Sequence, residues 1–277
     1  MAASFSIERG NAVLANGGTV SFLRAGAGPQ LVLLHGIGSN ASSWRAQLQE
    51  LAASFDVIAW NAPGYAGSSP LAPEAPDAGD YATALSGFLD AIGIERCHVA
   101  GHSLGSLIAV RFARENSERV TTLTLASCAL GHARLAPAER ERLLAGRLDD
   151  VRLLGMRGMA EKRGPRLLTG HASAAMRTAV TDAMGSADPR GYAQAARMLS
   201  AGDMLADIGG LAPDMPVQFV YGLQDVITPP DANETAAKAR PGAKVVRIAN
   251  AGHAVYIEQA DAFNDAIRTF AGTADGA

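Results

Sequence analysis

Short apolar runs recur along this chain, and the stretches between them place apolar residues at helical spacing. Runs apolar at successive positions fit strands covered on both faces, not alternating surface strands. They lie at residues 31–34, 57–60, 97–102, 120–126, 217–221 and 244–248. Ahead of them, residues 12–15 and 19–24 flank Asn16-Gly17-Gly18, a hairpin signal. Trp44, Leu48 and Leu51 repeat at helical spacing within 41–53, with Asn40 or Ser42 available as the cap. Leu85, Phe88, Leu89 and Ile92 mark a second helix, and Leu107, Ile108, Val110 and Phe112 a third. Such alternation predicts right-handed crossovers and a mainly parallel central sheet flanked by helices, an α/β fold. It stops between 131 and 213, an Ala-, Leu- and Arg-rich stretch with Gly and Pro punctuation and no strand-like run. Residues 131–213 are therefore expected to form a helical cap inserted into a core made of 1–130 and 214–277.

Composition narrows the class. With 277 residues, 48% of them hydrophobic and 18% charged, the chain can bury a large core and is not a disordered polymer. A net charge of −3 and a pI of 6.1 argue against nucleic acid or an anionic membrane as partner. No apolar run reaches spanning length, and residues 1–18 lack the basic and apolar blocks of a signal peptide. The expectation is a cytoplasmic protein with no membrane partner. Cys97 and Cys128 sit in apolar runs and read as buried free thiols. No Cys/His cluster has metal-ligand spacing, so no metal is expected.

The chemistry concentrates where the run at 97–102 enters Gly101-His102-Ser103-Leu104-Gly105 and a helix follows at once. A serine on a tight strand-to-helix turn is held in a strained conformation with its hydroxyl projecting above the sheet edge. Gly101 and Gly105 fit a turn that neighbouring backbone must pass closely. A neutral hydroxyl needs a base, and among six histidines His253 is best placed, in a loop between the run at 244–248 and the last helix. Asp225, just past the run at 217–221, suits the carboxylate that orients the imidazole. Asp203 and Asp207 are rivals, but their place at the exit of the insertion suits helix capping or the surface. An oxyanion requires two convergent N–H donors. Leu104, directly after the serine, offers one, and Ile37 in His35-Gly36-Ile37-Gly38 the other.

With these motifs in this order, the chain resembles the α/β-hydrolase family over nearly its whole length. Leu33-Leu34-His35-Gly36, Ala62-Pro63-Gly64-Tyr65, the Gly101 to Gly105 pentapeptide, Gly222-Leu223-Gln224-Asp225 and Gly252-His253 carry the likeness. Gly191-Tyr192-Ala193, Ala201-Gly202-Asp203 and Ile257-Glu258-Gln259 with Phe263-Asn264 look like 3-oxoadipate enol-lactonases and their esterase relatives. The resemblance implies a Ser-His-Asp hydrolase of a small carboxylic ester or lactone, enol-lactone-type acids included. It would pass through an acyl-enzyme and need no cofactor. Three positions depart from the family pattern. Ser106 stands where a second glycine is common, Asn61 where many relatives carry Asp, and Ala66 where Gly is frequent.

Other conspicuous residues have simpler readings. His35 is expected to orient the loop after residue 34, and His102 to point away from Ser103. Trp44 and Trp60 fit the core, with Trp44 also kept as a candidate substrate contact. Residues 131–200 carry 12 basic against 7 acidic side chains, while the rest of the chain carries 12 against 20. A basic cap on an acidic body would attract a small carboxylate-bearing substrate, and Arg157 and Arg163 are the candidate contacts, with Lys162 and Arg166 beside them. Many of these arginines could equally solvate outer helix faces. Two competing functions use the same scaffold: hydrolysis of a carbon–carbon bond in ring-cleavage products, and non-catalytic binding of a small molecule. The former relatives often carry Gly-Pro-Gly after the His-Gly pair, which Ile37-Gly38-Ser39-Asn40 lacks.

Overall fold

In a computed structural model of the chain, which describes residues 5–275, the apolar runs form six neighbouring strands of one eight-stranded sheet. The strands are β1 (Glu8–Val13), β2 (Thr19–Gly26), β3 (Gln30–Leu34), β4 (Asp56–Trp60), β5 (Cys97–His102), β6 (Val120–Ala126), β7 (Val217–Gly222) and β8 (Lys244–Ile248). They lie side by side as β1-β2-β4-β3-β5-β6-β7-β8. β2 runs antiparallel to both of its neighbours, and every other pair is parallel. The start of the leader reading and the outer ends of the 1–130 and 214–277 stretches lie outside the described residues.

β4, β5 and β7 are buried at every position, which is why they stand out as unbroken apolar runs. β1 buries only Ala12, so its polar edge carries no such signal and the strand begins at Glu8, earlier than residue 12. Leu14 N–H donates to Gly18 O at 2.8 Å and closes the hairpin. The segment expected to be one helix at 41–53 is split. A 3-10 turn at Ala41–Trp44 precedes α1 (Arg45–Glu50), and another follows at Leu51–Ala53. Asn40 is its cap, accepting from Ser42 N–H at 2.9 Å. α2 (Ala78–Ala91) opens with a reciprocal cap between Asp77 and Asp80 and packs beside α3 (Leu104–Glu115). Their face of the sheet holds Trp60, Phe88 and Phe112; the other face holds Trp44, Tyr256 and Phe263.

Between β6 and β7 the described residues form only helical elements: α4 (Pro137–Arg163), α5 (Ala174–Gly185), α6 (Pro189–Ala201) and α7 (Met204–Gly209), with one short 3-10 turn at Gly164–Leu167. α4 breaks at Gly155, whose φ is 66°. α7 sits against α3, with Met204 and Ile208 in the main core and Asp207 ion-paired to Arg111 at 3.0 Å and Arg114 at 2.9 Å. α8 (Pro230–Lys238), α9 (Val255–Glu258) and α10 (Ala260–Asp275) complete the chain.

The turn after β4 forms despite its departures. Ala66 takes the left-handed conformation at φ 45°. Asn61 accepts Ala41 N–H at 2.8 Å and donates to Ser21 Oγ at 2.8 Å, tying β2 to the segment after β3. Gly105 shows how tightly β3 and α3 meet, since a Cβ there would stand 2.2 Å from Leu34 O. Gly105→Ala is expected to cost about 3 kcal/mol, because backbone rather than a flexible side chain must yield. Gly87→Ala in α2, where a Cβ meets nothing within 4 Å, should instead gain about 0.5 to 1 kcal/mol. Urea midpoints of the two variants check the contrast.

Candidate active site

Parallel strands end at one edge of the sheet, so the loops after β3, β5, β7 and β8 converge there. Ser103 joins β5 to α3 with φ 53° and ψ −115°, a conformation that side-chain-bearing residues rarely adopt. Contacts on all sides hold it. Ser103 N–H donates to Ala126 O at 2.9 Å, and Ser106 donates to the Ser103 carbonyl through its N–H at 3.0 Å and also through its hydroxyl. The departure at Ser106 thus supplies an extra bond to the turn. A Cβ on Gly101 would lie 2.3 Å from Gly105 O, which accounts for the first glycine of the motif as the Leu34 carbonyl accounts for the second.

Asp225 and His253 meet at the same edge, with His253 Nδ1 2.8 Å from Asp225 Oδ2. Ile227 N–H and Thr228 N–H donate to Asp225 Oδ1 at 2.7 and 2.9 Å. Burial opposes the charge on Asp225, yet the His253 bond and these amides hold its carboxyl below the usual carboxylate range. The Asp225 bond fixes the proton on Nδ1 of a neutral His253 and leaves Nε2 as the basic nitrogen. The two loops interlock through Gln224 N–H to Ala251 O at 2.9 Å, and a Cβ at Gly222 would stand 2.3 Å from Ala251 O. Sequence reasoning gave Thr228 no role. Its hydroxyl lies 2.8 Å from Asp225 Oδ2, 3.2 Å from His253 Nδ1 and 3.0 Å from Ser127 O. The available signal was its place three residues after the acid, just before Pro229. The rival acids have other work: Asp203 caps α7 and pairs with Arg134, and Asp207 pairs with α3.

Two further histidines are buried nearby. His35 Nδ1 faces Gly36 O at 2.9 Å, and Ala62 N–H donates to its Nε2 at 3.0 Å. His102 Nε2 donates to the His253 carbonyl at 2.8 Å, its ring 4.7 Å from that of His253. Burial pushes His35 down to about 4 and His102 to about 3, with the neighbouring His253 adding to the latter. The loop holding His35 crosses directly over Ser103, for a Cβ on Gly36 would be 3.1 Å from Ser103 Cβ. Ile37 follows it and lines the cavity. Leu104 is the first residue of α3, so its N–H has no carbonyl one turn back.

Ser103, His253 and Ile37 open into one cavity of 290 Å³, whose apolar wall includes Leu130, Val180, Met184 and Leu199. Two expected substrate contacts lie elsewhere. Trp44 is fully buried, its ring 4.1 Å from that of Tyr256 and 6.0 Å from that of Phe263, and it is absent from the lining because it packs into the core. Arg157 is exposed and pairs with Asp182 at 2.6 Å and Glu161 at 3.2 Å, which turns it to the outer surface. Arg163 does line the cavity, but Asp150 neutralises it, 2.8 Å from its Nε. Arg147 and His132, which sequence reasoning did not offer as substrate contacts, also line it, as does Arg166, which it placed beside Arg163. Among the described residues neither Arg147 nor Arg166 has a carboxylate partner; Arg147 reaches only Tyr192 OH, at 3.5 Å. Which arginine meets a carboxylate depends on how the helices pack, and no local pattern reports that.

The neutral histidines have a consequence for stability. In the unfolded chain both titrate near 6.5, whereas folded His35 and His102 accept protons only near 4 and 3. As pH falls below 6.5 the unfolded state gains protons that the folded state refuses, so stability falls with it and keeps falling until the folded values are passed. His35→Gln, which can still accept from Ala62 N–H, is expected to remove about one proton from the slope of unfolding free energy against pH near pH 5. An unchanged slope in urea titrations would mean that His35 is protonated in the native protein.

Among the described residues no helix is long and apolar enough to cross a membrane. The sequence pattern of the alpha/beta hydrolase family matches residues 31–266. A 2-hydroxy-6-oxononadienedioate/2-hydroxy-6-oxononatrienedioate hydrolase of Pseudomonas putida is 28% identical over 263 residues, covering 87% of this chain and 86% of that one. A thermophilic esterase from Thermogutta terrifontis, solved with malate bound, superposes with a TM-score of 0.87 at 26% identity, covering 96% of this chain and 99% of that one. The enol-lactonase from Burkholderia xenovorans LB400 superposes at 0.83 with 25% identity, covering 94% and 99%. Family pattern, strand order and the turn at Ser103 agree, and the chain belongs to the alpha/beta hydrolase family as one of its hydrolases.

Proposed function

We propose that this hydrolase cleaves a small carboxylic ester or lactone bearing a carboxylate, by a Ser103–His253–Asp225 triad working through an acyl-enzyme. The observation that carries the reading is the 2.8 Å Asp225–His253 bond at the rim of the cavity that also holds Ser103 in its left-handed turn. Ser103 Oγ attacks the carbonyl carbon while its proton passes to His253 Nε2. Negative charge collects on the former carbonyl oxygen, where the N–H groups of Ile37 and Leu104 receive it, aided by the positive end of α3. His253 then gives the proton to the departing alkoxide, leaving an acyl group on Ser103. Water, deprotonated by the same nitrogen, releases the acid and restores the hydroxyl. Asp225 keeps the imidazole in the right tautomer and offsets its charge.

Residues 131–213 act in this reading as a cap whose helices roof the cavity, while α7 docks on α3. Arg147 and Arg166 are the cations free to receive a substrate carboxylate, with His132 beside them; Arg163 shapes the wall. The Thermogutta and Burkholderia proteins support ester or lactone chemistry. The Pseudomonas relative supports a second reading, hydrolysis of a carbon–carbon bond in an acidic dienoate, at the same triad. Buried free Cys97 and Cys128 suit a reducing compartment such as the cytoplasm.

Ser103→Ala should abolish turnover and fluorophosphonate labelling while leaving the urea midpoint within about 0.5 kcal/mol of the parent. Turnover by the pure variant at the parent rate would refute the triad. A panel of a lactone, an aryl ester and a dienoate diketone separates the two chemistries. Arg147→Met keeps the aliphatic stem and removes the charge. It should raise KM by about 10- to 100-fold for a carboxylate-bearing ester and little for its neutral analogue. Equal effects on both esters would remove Arg147 from substrate recognition.

A further inference from the structure

The loop that carries His253 is fastened to the segment after α4 at two points, one on either side of the imidazole. Ala254 N–H donates directly to Leu167 O at 2.9 Å. On the other side, Glu258 of α9 stands as a bridge. Its Oε2 accepts Gly252 N–H at 2.7 Å, while Oε1 accepts the Thr169 N–H at 2.8 Å and the Thr169 hydroxyl at 2.6 Å. Residues 252 and 254 are thus both held to residues 167–169, and His102 holds the carbonyl of residue 253 itself, at 2.8 Å. There is little slack at Gly252, where a Cβ would meet Glu258 Oε2 at 3.1 Å and Leu167 O at 3.2 Å.

The far end of the bridge belongs to the substrate's surroundings. Leu167, itself one of the bonded residues, and Arg166 before it line the cavity. A carboxylate accepting three bonds from two segments 83 or more residues apart in sequence is a stiff link, because charge-assisted bonds are short and strong. Without it, Gly252 N–H and the Thr169 donors would lose their acceptor together.

We propose that Glu258 is a positioning residue for His253: its carboxylate ties the loop of the base to the cavity-lining stretch at 164–169, so that the imidazole is aligned only when that stretch is seated. This rests on the reading of His253 as the base. The link also gives substrate contact at Arg166 or Leu167 a short mechanical route to the reacting nitrogen.

The test counts active sites by titrating Ser103 with a fluorophosphonate and then measures kcat per labelled site on a small aryl ester. Glu258→Ala should lower kcat per site about 100-fold with KM changed by less than about threefold, as misalignment of the base predicts. Glu258→Gln, which keeps one carbonyl acceptor, should recover part of the rate. Thr169→Val, which removes the hydroxyl donor from the far end alone, should lower kcat per site in the same direction by about fivefold. A parent-like kcat per site in Glu258→Ala, whatever happens to its melting temperature, would reduce Glu258 to a structural bond. A slow Glu258→Ala beside a parent-like Thr169→Val would break the link to the cavity-lining stretch. His253→Ala is the control for the underlying reading: parent-like turnover there defeats the triad, while an inactive His253→Ala beside an unimpaired Glu258→Ala defeats this inference only.

Discussion

Ser103 sits in the left-handed backbone region, and that single conformation governs how the centre of this molecule is built. The chain must leave β5, reverse within one residue and enter α3, and it can do so only if nothing projects from the positions two before and two after. Gly101 and Gly105 satisfy that demand: their missing side chains let β5, the first turn of α3 and the carbonyl of Leu34 pass within contact distance. The strain is balanced by the Ala126 carbonyl on one side and by both donors of Ser106 on the other. β3, β5 and β6 therefore need to be adjacent, and they are. The same geometry sets the serine hydroxyl at the positive end of a helix, where negative charge is favoured.

Around that turn three imidazoles are buried to the same degree, and what separates them is their partners. His35 and His102 are kept neutral by burial, each spent on backbone bonds that hold a loop in place. His253 alone has a carboxylate against it. In the proposed reaction the transient cation consequently forms beside Asp225 and not on either neighbour. Neutral His102 orients the His253 backbone without adding a competing charge 4.7 Å away.

What the sequence made legible follows from where the signals come from. Buried parallel strands leave apolar runs, and the loops at their carboxyl ends begin where the runs stop, so the order of runs and motifs was enough to place Ser103, Asp225, His253 and Ile37 at one edge of the sheet. β1 escaped at its start because an edge strand that buries one residue has no pattern to read. Trp44 and Arg157 were misplaced for a different reason. A tryptophan's partners (Tyr256 and Phe263 here) are more than 200 residues away, and an arginine's direction is set by whichever acid the neighbouring helix presents. Glu258 was visible as part of a motif, but its use as a bridge appears only when Thr169 is brought beside it.

The charge asymmetry of the insertion also changes meaning once its partners are known. Read as composition, an excess of basic residues at 131–200 suggests a broad field drawing anions toward the cavity. In the folded chain, Arg152, Arg157, Lys162 and Arg163 each face an acid already counted in that stretch, while Arg134 and Arg197 pair with Asp203 and Glu74 outside it and so offset two of the excess charges. At physiological salt, charges more than about 8 Å apart are largely screened, so the exposed remainder contributes little at the serine. In the proposed function the discrimination falls to the cations that border the cavity and have no carboxylate partner among the described residues, Arg147 and Arg166. In that reading an anion entering there would supply the missing partner, next to Leu167, which is one residue from Arg166 and bonded to the backbone beside His253. On the two proposals above, recognition and proton transfer are two ends of one short hydrogen-bonded path.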